Sequence, residues 1–283
     1  QHTGLNIDAL EAALDKALDK TISRLISQGE IKGKCNEVTI IHSLGKLAAD
    51  RVVVVGLGKP EELTLDKIRG AMAAACRLLR KKYVASIATV TQGAGITGIT
   101  AEGSAQALAE GTLLGLYTFR RHITKESEQG EIELLTIVSP DRSNLPGIRR
   151  GVNRGRILAE ATNLARDMVN EPANHMTPTN MAEMATKLAK TYGLEIDVLE
   201  REQVQELGMG AYLAVARGSQ QPPKFIVLNY KGGKPGAADI ALIGKGVTFD
   251  TGGISLKPAD SMVEMKGDMA GGAAVIAAMG AIA

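Results

Sequence analysis

The chain has 283 residues, 45% apolar and 23% charged, with 33 basic against 31 acidic side chains for a formal charge of +2. These proportions belong to ordinary globular domains; they exclude a disordered, collagen-like or disulfide-stapled chain, and the balanced charge offers no global field for a nucleic acid or an anionic membrane. Two cysteines, Cys35 and Cys76, suit a reducing, cytoplasmic setting, and no apolar run approaches the roughly 18 residues of a membrane span.

The length allows two domains of on the order of 100–150 residues. In chain order, Leu10, Leu14, Leu18, Ile22 and Leu25 recur at helical spacing and stop at Gly29. Val38–Ile41 and Val52–Val55 are β-branched runs that predict strands. A helix with Ile68, Met72, Ala75 and Leu79 on one face follows, then a strand near Ala85–Val90, a helix near Ala105–Phe119 and a strand at Ile132–Val138. The turn cluster from Ser139 to Gly147 marks a boundary, with a long helix to Val169 beyond it. Thr177 and Pro178 predict an N-cap and first helical residue, and Gly193 the end of that helix. Strands are expected at Glu195–Leu199, Phe225–Asn229 and Ile240–Ile243. The fold class expected is α/β with two domains, each a sheet flanked by helices, joined by a long helix. The divisions are an N-terminal domain at 1–146, a connecting helix at 147–169 and a catalytic domain at 170–283. The Ala-rich end, GGAAVIAAMGAIA, predicts a wholly buried helix; with no cap or partner element after it, and Gln1 in place of Met, the chain is expected to be part of a longer one.

The chemistry gathers after the last expected strand. Gly244-Lys245-Gly246 leads to Asp250 and Thr251-Gly252-Gly253, and Asp268 stands at the start of the final helix. Loops after strand ends form ligand sites in α/β sheets, and glycine lets backbone approach closely. Two carboxylates and two lysines, Lys245 and Lys257, can converge there, and close carboxylates need a cation: paired Zn²⁺, Mn²⁺ or Mg²⁺ in hydrolysis. Each residue alone has a blander explanation. Asp268 alone is a helix N-cap, Asp250 an Asx-turn residue and the lysines surface charges.

The combination overturns those explanations, because the run from Gly244 to Pro258, followed by Met265-Lys266-Gly267-Asp268-Met269-Ala270-Gly271-Gly272, resembles the signature of the leucyl aminopeptidase (cytosol aminopeptidase) family. Asn170-Glu171-Pro172-Ala173-Asn174 and Gly56-Leu57-Gly58-Lys59 extend the resemblance over most of the chain. It implies release of N-terminal, leucine-like residues from peptides by a metal-activated water. It implies two divalent ions (Zn or Mn, possibly Mg) held by Lys245, Asp250 and Asp268, with Asp250 bridging, Lys257 as the electrophile facing the oxyanion and Met265 lining the pocket for the first side chain. It further implies a cytoplasmic homo-hexamer. Lysine ligates only as a neutral amine, which burial beside dications favours. The family's remaining Asp and Glu ligands, from a motif of the form Asn-Thr-Asp-Ala-Glu-Gly-Arg, do not occur in the chain, so weak metal retention and no peptidase activity are expected of these residues alone.

Two alternatives compete: a DNA-binding or regulatory member, whose binding would weaken steeply with salt, and a non-catalytic module with a vestigial half-site. Gly93-Ala94-Gly95-Ile96-Thr97-Gly98 matches a dinucleotide fingerprint but precedes its helix too early and is expected to be a connecting loop. Gly56-Leu57-Gly58-Lys59-Pro60 lacks phosphate-loop spacing, and His2, His42, His122 and His175 show no paired ligand spacing.

Overall fold

The computed structural model describes residues 7–233 and 240–283, so His2 lies outside the described residues. The chain forms two compact units, to Ala159 and from Glu160, and the division falls inside the long helix α5 (Leu145–Asn170).

In the first unit the leucine periodicity yields two helices rather than one: α1 (Ile7–Ala17) and α2 (Thr21–Ser27). Asp19 and Lys20 between them take left-handed backbone (φ 52° and 58°), and the Asp19 carboxylate is paired with Lys46. β1 (Val38–His42) and β2 (Arg51–Val55) form an antiparallel ladder with Ile40 opposite Val53. α3 (Leu65–Arg80) and α4 (Ala101–Leu116) start at threonine caps, Thr64 and Thr100, whose hydroxyls accept from the amides of Lys67 and Gly103. The helices cross closely because Gly111 and Gly115 face α3; a Cβ at either would overlap backbone at Arg69 or Ala73. Ile68, Met72, Cys76, Ala107 and Leu108 form the core there. β3 (Ser86–Val90) and β4 (Leu134–Val138) pair in parallel, with Ala88 opposite Thr136. The Gly93–Gly98 segment is a turn-rich loop with Thr97 and three glycines at positive φ, and the Thr97 hydroxyl donates to the Leu63 carbonyl.

In the second unit α6 (Pro178–Tyr192) opens on Thr177 and closes on Gly193 at φ 71°. β5 (Glu195–Leu199) runs antiparallel to β6 (Phe225–Asn229), with Asp197 opposite Val227. Two short helices without a sequence forecast, α7 (Arg201–Glu206) and α8 (Gly210–Ala216), connect them. After α9 (Ala259–Met262) comes α10 (Ala270–Ile282), and Met181, Ala185, Leu188, Met269, Ala273 and Ile276 share one core.

Two expectations are corrected. Ile240–Ile243 forms no strand and pairs with none among the described residues, and Ile240 and Ile243 are 86% and 94% exposed. A β-prone run becomes a strand only when a neighbour takes up its backbone groups. The Ala-rich helix α10 is buried on one face only, through Ala273, Ile276, Ala277 and Gly280, while Ala274 and Ile282 are exposed. Its small side chains let Gly280 pack directly on Leu188, which fixes the covered face. Among the described residues no helix is long and apolar enough to cross a membrane.

Candidate metal centre

Glycine builds the site before any charged group enters it. A Cβ on Gly244 would overlap the Gly271 carbonyl, and one on Gly272 would press on Gly246 and the Lys245 carbonyl. The Gly244–Gly246 segment therefore lies directly on the first turn of α10, and the Gly272 amide donates to the Lys245 carbonyl at 2.7 Å. These glycines bring two backbone segments together. That contact projects Lys245 over Asp268.

The Lys245 ammonium donates to Asp268 Oδ1 at 2.8 Å and lies 2.7 Å from Oδ2. The approach to Oδ2 is out of hydrogen-bond alignment, and Oδ2 is buried without an aligned donor. Asp268 makes no capping bond to α10, so the blander N-cap role does not hold. Asp250 does close an Asx turn, accepting the Gly252 amide at 2.9 Å on Oδ1, while Oδ2 accepts the Lys257 ammonium at 2.8 Å. The same Lys257 nitrogen stands 2.9 Å from Met265 Sδ. The five residues singled out in the sequence thus form two linked groups, Lys245 with Asp268 and Asp250 with Lys257 and Met265.

Electrostatics joins the groups. The hydrogen bond from Lys257, helped by the Gly252 amide, holds the Asp250 carboxyl below its ordinary value, and Lys245 adds to the shift. The hydrogen bond to Asp268 raises the Lys245 ammonium above its ordinary value, with the Asp250 charge contributing. The Lys245 side chain is 60% exposed, against 19% for Asp268. Each carboxylate already carries a cation, which is the charge such a pair must recruit when brought out of bulk water.

Oxygen donors with one amine suit borderline and hard divalent ions. The donors are few, and among the described residues no cluster of three His, Cys, Asp or Glu side chains could hold a metal. The fit is therefore partial: two carboxylates, one of them with an orphaned buried oxygen, and an amine.

Residues 163–283 match the catalytic domain of the cytosol aminopeptidase family, and residues 3–126 match its N-terminal domain. The chain belongs to the cytosol aminopeptidase family. Relatives include the probable cytosol aminopeptidases of Alkaliphilus metalliredigens (strain QYMF), 43% identical over 89% of this chain and 51% of that protein, and of Solibacter usitatus (strain Ellin6076), 46% identical over 91% and 52%. The chain thus spans about half the length of the curated relatives it matches. Among solved structures, a mutant of tomato leucine aminopeptidase superposes with TM-score 0.81 at 30% identity, covering 100% of this chain and 53% of that one. The bottromycin maturation enzyme BotP in complex with Mn gives 0.78 at 35% identity, covering 93% and 52%. These likenesses agree with the two-domain α/β architecture.

One residue beside the site stands inside the cytosol aminopeptidase motif but receives no role from the sequence. Lys266 donates to the Asn170 carbonyl at 2.7 Å across 96 positions of sequence. The available clue was indirect: a helix ending before Pro172 leaves terminal carbonyls in need of donors.

Proposed function

We propose that this chain contributes Lys245, Asp250 and Asp268 to a two-metal aminopeptidase centre that removes N-terminal, leucine-like residues from peptides. The supporting observation is the pair of mutually felt ion pairs, with Asp268 Oδ2 buried and lacking an aligned donor. Without metal the two ammonium groups balance the carboxylates, and Lys245 would surrender its proton to become a ligand. When bound, two divalent ions would polarise the scissile carbonyl and supply an acidified water as nucleophile. Asp250 would face both ions, since its two oxygens already serve two partners. Lys257 keeps a further N–H beyond its bonds to Asp250 and Met265, and it would direct that donor at the developing oxyanion. Met265 would present a flexible thioether to an apolar first side chain.

Three ligand side chains are too few for two ions, so the 283-residue chain by itself would retain metal weakly and turn over no peptide. Zn²⁺ or Mn²⁺, a homo-hexameric assembly and a cytosolic location belong to the same proposal and rest on family membership. Titration of the chain with Mn²⁺, followed by electron paramagnetic resonance and calorimetry, tests it. Binding should be detectable, release protons, and disappear in both Asp250→Asn and Asp268→Asn. Binding that survives both substitutions, or no binding at all, sinks the assignment.

A further inference from the structure

We propose that Lys266 is the positioning residue that fixes the Asp268 carboxylate, by clamping the loop before it to the C-terminus of α5. The metal measurement below rests on the two-metal reading; the exchange measurement does not. The loop is otherwise poorly secured. The 3-10 turn Val263–Gly267 has no side-chain cap and no buried residue, and α9 before it has neither. Such turns have weaker hydrogen-bond geometry than an α-helix. After Asp268 the chain is anchored, because Met269 is completely buried in the core with Met168, Met181 and Ala273. Before Asp268 the polar tether is Lys266, whose ammonium donates to the Asn170 carbonyl at 2.7 Å.

That carbonyl belongs to the last residue of a 26-residue helix, where carbonyls lack intrahelical partners and the helix end is partially negative. A lysine there donates to a terminal carbonyl and meets favourable charge at once. Gly267 sits within reach of Val169, where an added Cβ would lie 3.7 Å from Cγ1, so the loop follows the last turn of α5 closely. Asp268 is thus held on both sides, by a buried methionine after it and a charged clamp two residues before it. Met265, one residue earlier, touches Lys257 and carries the constraint to the second ion pair.

The test compares the full chain with Lys266→Met, Lys266→Gln and Lys266→Arg. Without metal, amide exchange in 263–268 should accelerate at least tenfold in the Met and Gln variants. It should return to the wild-type rate in the Arg variant, and α6 should keep its protection throughout. With Mn²⁺, followed by electron paramagnetic resonance, the Met and Gln variants should bind about tenfold more weakly, the range typical when a supporting contact behind a ligand is lost. Unchanged exchange in 263–268 overturns the inference, as does a loss of α6 protection in parallel, which would make Lys266 a general stabiliser. Accelerated exchange with unchanged Mn²⁺ affinity also overturns it. A wild-type chain that binds no Mn²⁺ removes the two-metal reading, while the exchange result still decides whether Lys266 holds the loop.

Discussion

Adding one methyl group at Gly244 tests how the site is built. In Gly244→Ala the new Cβ meets the Gly271 carbonyl, with the Gly271 carbon and the Gly272 nitrogen also inside contact distance. Carbon contacts settle at about 3.5–4.0 Å, so the two segments must separate by on the order of 1 Å. The Gly272 amide to Lys245 carbonyl bond, 2.7 Å at present, then stretches beyond hydrogen-bond range. Losing that bond costs about 0.5–1.5 kcal/mol, and forcing an extra methyl into a filled contact costs about 1–3 kcal/mol. Restriction of the unfolded chain offsets about 0.4–1 kcal/mol. The expected net loss is about 0.5–4 kcal/mol, centred on about 2, and it is smaller if the segment detaches locally instead of straining the unit. Gly246→Ala is the control. Its Cβ would meet only Met181 Cε at 4.0 Å, so it should fall within about 0.5 kcal/mol of wild type. Urea unfolding followed by far-UV circular dichroism, with amide exchange at Gly272, reads both quantities. Wild-type stability and Gly272 protection in Gly244→Ala would refute the view that glycine contact seats Lys245.

Thr177→Ala removes the hydroxyl that accepts the Asn180 amide at the start of α6, and it should cost about 1 kcal/mol in urea unfolding, with Thr177→Ser recovering most of it. Of the two thiols, Cys35 is exposed and Cys76 fully buried; Ellman's reagent at pH 8 should titrate one thiol quickly and the second only on unfolding. Burial pushes the Cys76 thiol above its ordinary value of 9.0, so its contribution to stability is complete below pH 9 and declines as pH rises beyond it. Cys76→Ala should flatten that alkaline limb. The Ser143 hydroxyl and amide hold the Asp141 carboxyl below 3.8. Its contribution is therefore present above pH 3.8 and lost as pH falls through the lowered value. An acid unfolding curve for Asp141→Asn that overlays wild type would contradict this.

Local signals in the sequence carried far where the structure depends on local physics. The β-branched runs Val38–Ile41 and Val52–Val55 became the β1–β2 ladder, and Thr177, Pro178 and Gly193 delimit α6 as their capping chemistry requires. Signals failed where partners decide. The leucine period passed through Asp19 and Lys20 because neither is a conventional break, yet both adopt left-handed backbone. Ile240–Ile243 has strand composition and no ladder neighbour among the described residues. At the site, the motif brought Lys245, Asp250, Lys257, Met265 and Asp268 together in expectation and they lie in two ion-paired groups, but no motif conveys that Lys245 is exposed and kept a cation to higher pH by Asp268. The contact of Lys266, a residue inside the motif, was hidden for a related reason: its partner is a backbone carbonyl, and carbonyls have no residue identity to recognise.

The unpaired Ile240–Ile243 segment also bears on how the molecule behaves in solution. Ile240, Ile243, Ile254, Leu256 and Val263 all stand more than two-thirds exposed. An exposed apolar tetrapeptide of strand-forming composition, in no ladder among the described residues, is a template on which identical copies can stack edge to edge. Colloidal stability of this polypeptide then depends on concentration and salt more steeply than its near-neutral charge alone would require, since +2 supplies little repulsion to keep copies apart. A lysine at Ile243 would act as a gatekeeper against that stacking, raising the solubility ceiling without touching a side chain that holds charge in the centre.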